Sequence, residues 1–362
     1  MRGQPERILV VIPSPIFGGA EAQTLQVARG LMAMGAEVAV MAEPLVLAAA
    51  KGAMGAALGA ARPLPASLRA PDDLPTDAAI AWQGRALQPW LGPWRPDAAL
   101  VCCPLPAEAL GALTALTAAG IPSLAVVHLV RVDWVLAPLQ RAALASIRAD
   151  WAAVSEPSAR RLEVLFGWPP HRVAAIPNGM PAMAPAAADR ARLGLPEGIP
   201  LLAQVGRLDV RKGAQLAPAI GAAIAPGRVV LAGDGPLRAH LEQASGVLML
   251  GQREDIPALL ASVDAFLLAS EHEGCPLSVL EAARAGCPIL ATRQALEAWP
   301  EAAEMARIIL RDPDHIAAIF TDTLADAPAT ARRVARARQV AQAWDEAAMI
   351  RRTAFLLAAA CA

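Results

Sequence analysis

The chain alternates short apolar segments with longer helix-like segments along almost its whole length, and no other feature restricts its fold as strongly. Ile8–Ile12 is typical of a buried strand, residues 20–34 of a helix and Glu37–Ala42 of the next strand. Further short apolar runs follow at Ala98–Cys102, Ser123–Val127, Trp151–Val154 and Arg172–Ile176. This rhythm predicts an α/β fold in which helices cover both faces of a parallel sheet.

The rhythm breaks at residues 181–200, where four prolines predict an interdomain linker. A second series of strand-like segments then follows at Leu201–Val205, Arg228–Ala232, Val247–Leu250, Ala265–Ala269 and Ile289–Ala291. We therefore predict two tandem, Rossmann-like, doubly wound domains over residues 1–184 and 185–340, with a terminal helix over 341–362 that packs back across the domain boundary. Ligands bind such sheets beyond the carboxyl ends of the strands, so two facing domains would enclose a central cleft.

The composition restricts the classes of partner and compartment. The formal net charge of -1 lacks the basic excess of a nucleic-acid-binding protein. The five cysteines contain no C-x-x-C pair, which favours a reduced, cytoplasmic setting over a disulfide framework. No apolar run reaches the roughly 18 residues of a membrane-spanning helix. Arginines at positions 332, 333, 336, 338, 351 and 352 allow peripheral contact with an anionic membrane, although a solvated helix face accounts for them more simply.

The segment from Glu273 to Glu281 carries the clearest chemical pattern. Its two carboxylates stand eight positions apart, with a Gly-x-Pro turn after the first and a helix that contains the second. The first turn of a helix is partly positive and leaves N–H groups without intrahelical partners, so a phosphorylated ligand suits it. The same residues also fit a capping box, in which Ser278 is the N-cap and Glu281 reaches back to it. Both interpretations remain open on these residues alone.

Two further patterns follow strands of the second predicted domain. Arg207 and Lys212 come after the first strand of this domain. A guanidinium fork and an ammonium charge at this place suit phosphate oxygens. The alternative is that both are solvated surface charges. Gly233-Asp234-Gly235-Pro236 follows the next strand and predicts a tight turn. Asp234 is interpreted as a turn residue or N-cap, whereas Gly233 and Gly235 leave room for a base or ribose.

The first predicted domain offers a glycine pair and a histidine at strand ends. Gly18 and Gly19 follow the first strand and open a helix, which lets a ligand approach the backbone, but an ordinary strand–helix turn explains them equally well. His128 ends the strand Ser123–Val127, where an imidazole can orient or polarise a reacting group or serve only the structure. Arg131 and Asp133 are weaker candidates nearby.

Together these patterns resemble the GT-B-fold glycosyltransferases of family 4. The resemblance covers about residues 8–358, and Trp344 in a closing helix is also similar to that family's end. It is carried, in the family's order and spacing, by Gly18-Gly19-Ala-Glu21, Pro177-Asn178-Gly179, Gly206-Arg207 with Lys212-Gly213, Gly233-Asp-Gly-Pro236 and Glu273 through Glu281. It implies a retaining enzyme that moves a sugar from a nucleotide diphosphate sugar to a glycan, lipid-linked or small-molecule acceptor without a metal or other cofactor.

The resemblance also implies a role for each matching residue. Arg207 and Lys212 would hold the diphosphate and stabilise the leaving group. Glu281 would bind the ribose hydroxyls, and Glu273 would face the transferred sugar. Backbone N–H groups of the Gly274-Cys275-Pro276-Leu277 turn would bind sugar and phosphate. Gly18 and Gly19 would lie beside the donor, and His128 would lie near the reaction centre.

The sequence departs from the family pattern after the two-carboxylate helix. Thr292-Arg-Gln-Ala-Leu-Glu297 lacks the usual Gly-Gly turn, and Ala303-Glu-Met-Ala-Arg307 replaces a later glycine-rich turn. We therefore expect an altered nucleotide or sugar preference, or a weakened site. Two alternatives stay open: a nucleotide-sugar epimerase on the same scaffold, which needs acid–base residues around the sugar, and a non-catalytic nucleotide-sugar-binding homologue.

Overall fold

The computed structural model describes residues 5–54, 61–71, 73–182 and 188–362, with the side chains of 51–54 excepted. The chain forms two compact units. The first contains Met1–Gly179 and Glu346–Ala362, and the second is Met180–Asp345. The predicted boundary between 184 and 185 lies outside the described residues. The second unit extends five residues past the predicted end at 340, because Met180 and Asp345 form a parallel β-bridge and the Met180 N–H donates to the Trp344 carbonyl at 3.0 Å.

The first unit is built on a seven-stranded sheet in the order β3-β2-β1-β4-β5-β6-β7, with every pair parallel. Its strands are β1 (Arg7–Ile12), β2 (Glu37–Ala42), β3 (Arg62–Pro65), β4 (Ala98–Cys103), β5 (Ser123–Val127), β6 (Asp150–Ala153) and β7 (Ala174–Ala175). The β1 residues Ile8–Ile12 are almost fully buried, as expected for a central strand with helices on both faces. The strand order reverses between β1 and β4.

Helices connect these strands and cover the sheet. They are α1 (Gly19–Ala33), α2 (Pro44–Met54), α3 (Thr76–Trp94), α4 (Leu110–Ala118), α5 (Pro138–Ser146) and α6 (Glu156–Phe166). A T-shaped cluster of Trp151, Phe166 and Trp168, with ring centroids 4.8 to 5.9 Å apart, closes the core beside β6. The connection from β1 to α1 leaves the sheet beside the point at which the strand order reverses.

The second unit repeats the pattern in a six-stranded parallel sheet, ordered β10-β9-β8-β11-β12-β13. Its strands are β8 (Leu201–Val205), β9 (Arg228–Ala232), β10 (Val247–Gly251), β11 (Ala265–Leu268), β12 (Ile289–Thr292) and β13 (Arg307–Ile309). Its helices are α7 (Arg190–Leu193), α8 (Ala217–Ala223), α9 (Arg238–Leu241), α10 (Ile256–Ser262), α11 (Leu277–Ala285), α12 (Ala302–Met305), α13 (Pro313–Ala325) and α14 (Ala327–Ala343). The order reverses between β8 and β11, which is where doubly wound sheets bind ligands.

The end of the chain returns to the first unit. After α14, Trp344 packs against Trp299 of the second unit, with ring centroids 5.0 Å apart and ring planes tilted by 43°. The last helix, α15 (Glu346–Ala360), then packs along α1. Its Met349 sulfur accepts a hydrogen bond from Gln23 Nε2 at 3.1 Å. The predicted terminal helix over 341–362 is therefore two helices, and the break between them falls at Trp344.

The prediction of tandem α/β sheets is confirmed, and the structure adds one strand to the edge of each sheet. The sequence Arg62-Pro-Leu-Pro65 forms β3 despite its two prolines, because an edge strand needs ladder hydrogen bonds on one side only. Within the described residues, none of the helices is both long and apolar enough to cross a membrane.

Candidate active site

The second unit brings the loops after β8 and β11 together at the reversal point of its sheet. These two strands are neighbours, with Ala265 paired to Leu202 and Phe266 to Ala203. Their carboxyl ends therefore lead side by side into residues 206–213 and 269–276. These two loops contain most of the site residues predicted for the second domain.

Lys212 and Glu273 form an ion pair across this point. Lys212 Nζ donates to Glu273 Oε1, and the Ser270 hydroxyl donates to the same oxygen at 2.6 Å. The Glu273 side chain is 12% exposed and that of Lys212 is 33% exposed, so the carboxylate is largely shielded from solvent while the lysine remains partly accessible. The structure thus joins two predicted site residues that are 61 positions apart.

The backbone of the loop after β8 is fixed around Lys212. The Asp209 carboxylate accepts the Lys212 N–H at 2.9 Å, and Gln204 Nε2 donates to the Lys212 carbonyl at 2.9 Å. Gly213 has φ +80° and lies so close to β11 that a Cβ there would be 2.7 Å from the Ala269 carbonyl oxygen. Only glycine fits this position, so the close packing that sets Lys212 beside Glu273 depends on Gly213.

Arg207 is held less tightly than Lys212. Its side chain is 45% exposed, and its Nε lies 3.4 Å from Asp209 Oδ2, which is a long contact for a charged pair. The guanidinium keeps donors that face solvent. The sequence interpretation missed Asp209. The Asp209 carboxylate contacts both predicted cations: it lies near the Arg207 guanidinium and accepts a hydrogen bond from the Lys212 backbone N–H.

Gly233 and Gly235 are required by packing between backbones. A Cβ on Gly233 would be 1.9 Å from the Gly206 carbonyl oxygen, and one on Gly235 would be 2.5 Å from the Leu208 carbonyl oxygen. Asp234 is an exposed turn residue: it accepts the Gly235 N–H at 2.7 Å and a hydrogen bond from Arg238, and these contacts lower the pKa of its carboxyl. The turn after β9 therefore rests directly on the loop that contains Arg207.

Helix α11 begins at Leu277, with Pro276 as its N-cap and no side-chain cap. The predicted capping box is wrong, because Ser278 lies one residue inside the helix and cannot act as N-cap. Gly274, Cys275 and Pro276 are buried beneath this end of the helix. The turn that they form leads from Glu273 to the helix start, where leading N–H groups have no intrahelical acceptors.

Glu281 lies one turn into α11 and is half-buried. No described residue donates a hydrogen bond to its carboxylate. Burial without a compensating donor raises the pKa of this carboxyl from its ordinary value of 4.5 to about 7. Glu273 and Glu281 therefore differ in chemistry: the first is paired with Lys212, whereas the second is a poorly solvated acceptor in need of donors.

A second bridge ties the same two loops together on the side of β13. Arg311 Nη1 donates to the Glu271 carboxylate, and its Nη2 donates to the Val210 carbonyl at 2.6 Å. The Glu271 N–H donates to the Arg211 carbonyl at 2.9 Å. Arg311 follows β13, a strand that the sequence pattern did not predict, so this bridge was not visible from sequence.

In the first unit, Gly18 and Gly19 form the start of α1. Gly18 is the N-cap, and its N–H donates to the carboxylate of buried Glu21 at 2.8 Å. A Cβ on Gly19 would meet no atom within 4 Å. Burial raises the pKa of the Glu21 carboxyl. Glu108, which follows β4, has a pKa of about 7; burial is the main cause, and the nearby charge of Glu21 is the second. Among the described residues, none would clash with a side-chain Cβ at position 19.

His128 lies just past β5 in the same unit and is 8% exposed. Its backbone N–H donates to the Cys103 carbonyl at 2.9 Å, and burial lowers the pKa of its imidazole to about 3, so the ring is neutral. Its Nε2 is buried and has no hydrogen-bond partner among the described residues. Arg131 and Asp133, the weaker candidates, form an ion pair with each other at 2.6 Å.

Two family models match the chain over most of its length. The model described as Glycosyltransferase Family 4 matches residues 17–182, and the model described as Glycosyl transferases group 1 matches residues 199–326. The chain belongs to the family 4, or group 1, glycosyltransferases. Within the described residues, no group of three or more His, Cys, Asp or Glu side chains is placed to hold a metal ion.

Relatives in this family include the 2-deoxystreptamine glucosyltransferase of Streptomyces kanamyceticus, which is 33% identical over a 168-residue alignment that covers 38% of this chain and 43% of the relative. Another is the GDP-mannose-dependent alpha-(1-6)-phosphatidylinositol dimannoside mannosyltransferase of Mycobacterium tuberculosis, which is 32% identical over a 158-residue alignment that covers 41% of this chain and 42% of the relative. The chain thus matches less than half of the length of these curated relatives.

Solved structures match the fold over nearly the whole chain. Anabaena HepE in complex with UDP-glucose has a TM-score of 0.76 at 18% identity, covering 98% of this chain and 99% of that one. WaaG, a glycosyltransferase of lipopolysaccharide biosynthesis, has a TM-score of 0.71 at 17% identity, covering 97% and 99%. The chain has the GT-B fold of these proteins.

Proposed function

We propose that this protein transfers a sugar from a nucleotide diphosphate sugar to a hydroxyl group of a glycan, lipid-linked or small-molecule acceptor, with retention of the anomeric configuration. The observation that carries the proposal is the Lys212–Glu273 pair at the reversal point of the second sheet, followed on α11 by Glu281, whose carboxylate has no donor among the described residues. Family membership and the fold that the chain shares with UDP-glucose-bound HepE support it.

Lys212 and Arg207 would bind the diphosphate. An ammonium group has three donors, so Lys212 can keep its contact with Glu273 while it donates to phosphate oxygens. The weak, exposed contact of Arg207 with Asp209 leaves its fork available for a second phosphate oxygen. Both cations would stabilise the negative charge that develops on the leaving diphosphate, and the free N–H groups at the start of α11 would add to it. We propose that this charge makes a metal unnecessary.

The two glutamates would bind different parts of the donor. Lys212 and Ser270 both occupy Oε1 of Glu273, so its Oε2 is left to accept hydrogen bonds from hydroxyls of the transferred sugar. Glu281 would accept hydrogen bonds from the ribose hydroxyls. These donors would supply the stabilisation that the Glu281 carboxylate lacks in the free protein, which favours ionisation on binding.

The first unit would contribute a neutral histidine and an open glycine turn. His128 Nε2 is buried and without a partner among the described residues, and a sugar hydroxyl would satisfy it. Because the imidazole is neutral, it can act as a hydrogen-bond donor or acceptor but adds no charge. The absence of a side chain at Gly18 and Gly19 would allow the donor to approach the start of α1.

Retention would follow from attack on the same face that the diphosphate leaves. The acceptor hydroxyl would form its bond to the anomeric carbon as the bond to the phosphate oxygen breaks, and that oxygen would accept the hydroxyl proton. In this proposal Glu273 does not act as nucleophile, although only its Oε1 is engaged by Lys212 and Ser270. Its task would be to orient the sugar.

A donor screen by thermal denaturation tests the proposal. Uridine, guanosine and adenosine diphosphate sugars would each be added to the wild-type protein and to Lys212→Ala. A ligand at a hundred times its Kd stabilises the folded state by about 2.7 kcal/mol, so one nucleotide class should raise Tm in the wild type and do so much less in the variant. If no nucleotide sugar raises Tm, the proposed donor site is wrong.

A further inference from the structure

Ser270 contacts Glu273 from the buried side of the site. It lies two residues past the end of β11 and is fully buried. Its hydroxyl donates to Glu273 Oε1 at 2.6 Å, the same oxygen that accepts from Lys212 Nζ. A carboxyl group rotates easily about its last torsion. Two donors on one oxygen remove that freedom and fix the direction in which Oε2 points.

Thr292 in turn holds the backbone of Ser270. It is 3% exposed at the end of β12, and its hydroxyl donates to the Ser270 carbonyl at 2.6 Å. The same hydroxyl accepts the Ala295 N–H at 3.2 Å. One hydroxyl therefore joins the loop after β12, which lacks the family's Gly-Gly turn, to the loop that contains Glu273.

We propose that Ser270 and Thr292 form a positioning relay that sets the orientation of the Glu273 carboxylate. Thr292 fixes the Ser270 backbone, Ser270 fixes Oε1, and Oε2 is thereby aimed at the transferred sugar. The inference rests on the proposed function of Glu273, although the relay is a property of the protein alone. Through this relay, the divergent loop after β12 would help to place the Glu273 carboxylate without itself contacting the substrate.

Ser270→Ala and Thr292→Val each remove one hydroxyl of the relay with little change in volume. Thr292→Ser restores the hydroxyl and serves as the rescue. Thr323→Val is the matched control, because Thr323 is a buried threonine of the same unit whose hydroxyl donates to the Ile319 carbonyl within its own helix at 2.7 Å. The control loses a buried hydroxyl without touching the relay.

Kinetics with UDP-glucose or GDP-mannose, whichever the wild type uses, give the first readout. A hydrogen bond to a charged group is worth about tenfold or more in an equilibrium, and a neutral one about two- to tenfold. Ser270→Ala should therefore lose about tenfold in kcat, and Thr292→Val about two- to tenfold. Their Kd for free nucleotide diphosphate should stay within about twofold. Thr292→Ser should recover most of kcat, and Thr323→Val should match the wild type. Equal kcat in Ser270→Ala and the wild type, or equal losses in Thr292→Val and Thr323→Val, would overturn the relay.

A second readout does not require turnover. The chain has two lysines, Lys51 and Lys212, so protein labelled with 13C at lysine Cε gives two side-chain signals, and Lys51→Arg identifies that of Lys212. Ser270→Ala and Thr292→Val should shift the Lys212 signal, whereas Thr323→Val should not. An unshifted signal in both relay variants would refute the inference. If the wild type transfers no sugar while these shifts appear, the proposed function fails and the relay stands.

Discussion

Replacing Glu281 by glutamine should stabilise the second unit at neutral and alkaline pH and leave its stability unchanged in acid. The Glu281 carboxyl has a pKa of about 7 in the folded protein, against an ordinary value of 4.5, because it is partly desolvated and no residue that the structure describes donates to it. Between these values the folded protein holds a proton that the unfolded chain releases. Stability therefore falls as pH rises through this window, and the full cost is present above it.

The size of the effect follows from the two pKa values. A change of one pKa unit corresponds to 1.36 kcal/mol, so a rise from 4.5 to about 7 corresponds to about 3 kcal/mol. Glutamine is neutral at every pH and avoids this cost. Glu281→Gln should thus exceed the wild type in unfolding free energy by about 3 kcal/mol near pH 8 and match it below about pH 4.5.

Hydrogen exchange at graded urea concentrations, measured on peptides from β8, β11 and α11, reports the unfolding of the second unit separately from the first. Glu254→Gln, at an exposed glutamate of the same unit, controls for the loss of one charge and should change stability by less than about 0.5 kcal/mol. A difference between Glu281→Gln and the wild type that does not vary with pH would refute the account of Glu281. The same variant should bind free nucleotide diphosphate more weakly, since the ribose loses its carboxylate acceptor.

Three further predictions concern the donor site. Arg207→Ala or Lys212→Ala should lower kcat/KM by about a hundredfold or more, because each would remove a charge that we propose stabilises the leaving diphosphate; near-normal steady-state kinetics in both would contradict that role. Glu273→Gln should spare the calorimetric Kd of free nucleotide diphosphate and impair transfer, and a loss of nucleotide affinity as large as in Glu281→Gln would refute the separate roles. Gly19→Ala should keep the wild-type Tm, since a Cβ there meets no atom within 4 Å. The variant should nevertheless weaken donor binding and transfer. Unchanged transfer would show that the donor does not approach this turn.

The central strands could be predicted from sequence because they are buried on both faces and appear as continuous apolar runs. Glu37–Ala42, Ser123–Val127 and Arg228–Ala232 have the predicted bounds. The edge strands β3 and β13 could not, because β3 has two prolines and β13 has three residues. Edge strands need fewer hydrogen bonds and less burial, so they leave a weaker pattern.

The sequence indicated candidate site residues but not the contacts between them. The loops of Lys212 and Glu273 come from strands that are neighbours in the sheet, a pairing that the structure provides. The hydrogen bonds from Ser270 to Glu273 and from Thr292 to Ser270 depend on register between β11 and β12, which a sequence alone does not provide. The capping box failed because the helix begins one residue before Ser278.

The raised pKa of Glu281 and the orphaned nitrogen of His128 are likewise consequences of three-dimensional burial. The sequence alone does not show whether a glutamate in a helix or a histidine after a strand is buried or exposed. Only the packed structure distinguishes a carboxylate that has its donors, such as Glu273, from one that lacks them, such as Glu281.

Product analysis of one reaction tests the central claim most directly. Wild-type protein would be incubated with the nucleotide sugar that stabilises it, with and without a panel of glycan, lipid-linked and small-molecule acceptors, and the products followed by proton NMR. We predict release of nucleotide diphosphate that depends on acceptor, together with a glycoside of the same anomeric configuration as the donor. An inverted glycoside would contradict retention, and isomerised donor without acceptor, or binding with no turnover on any acceptor, would contradict sugar transfer itself.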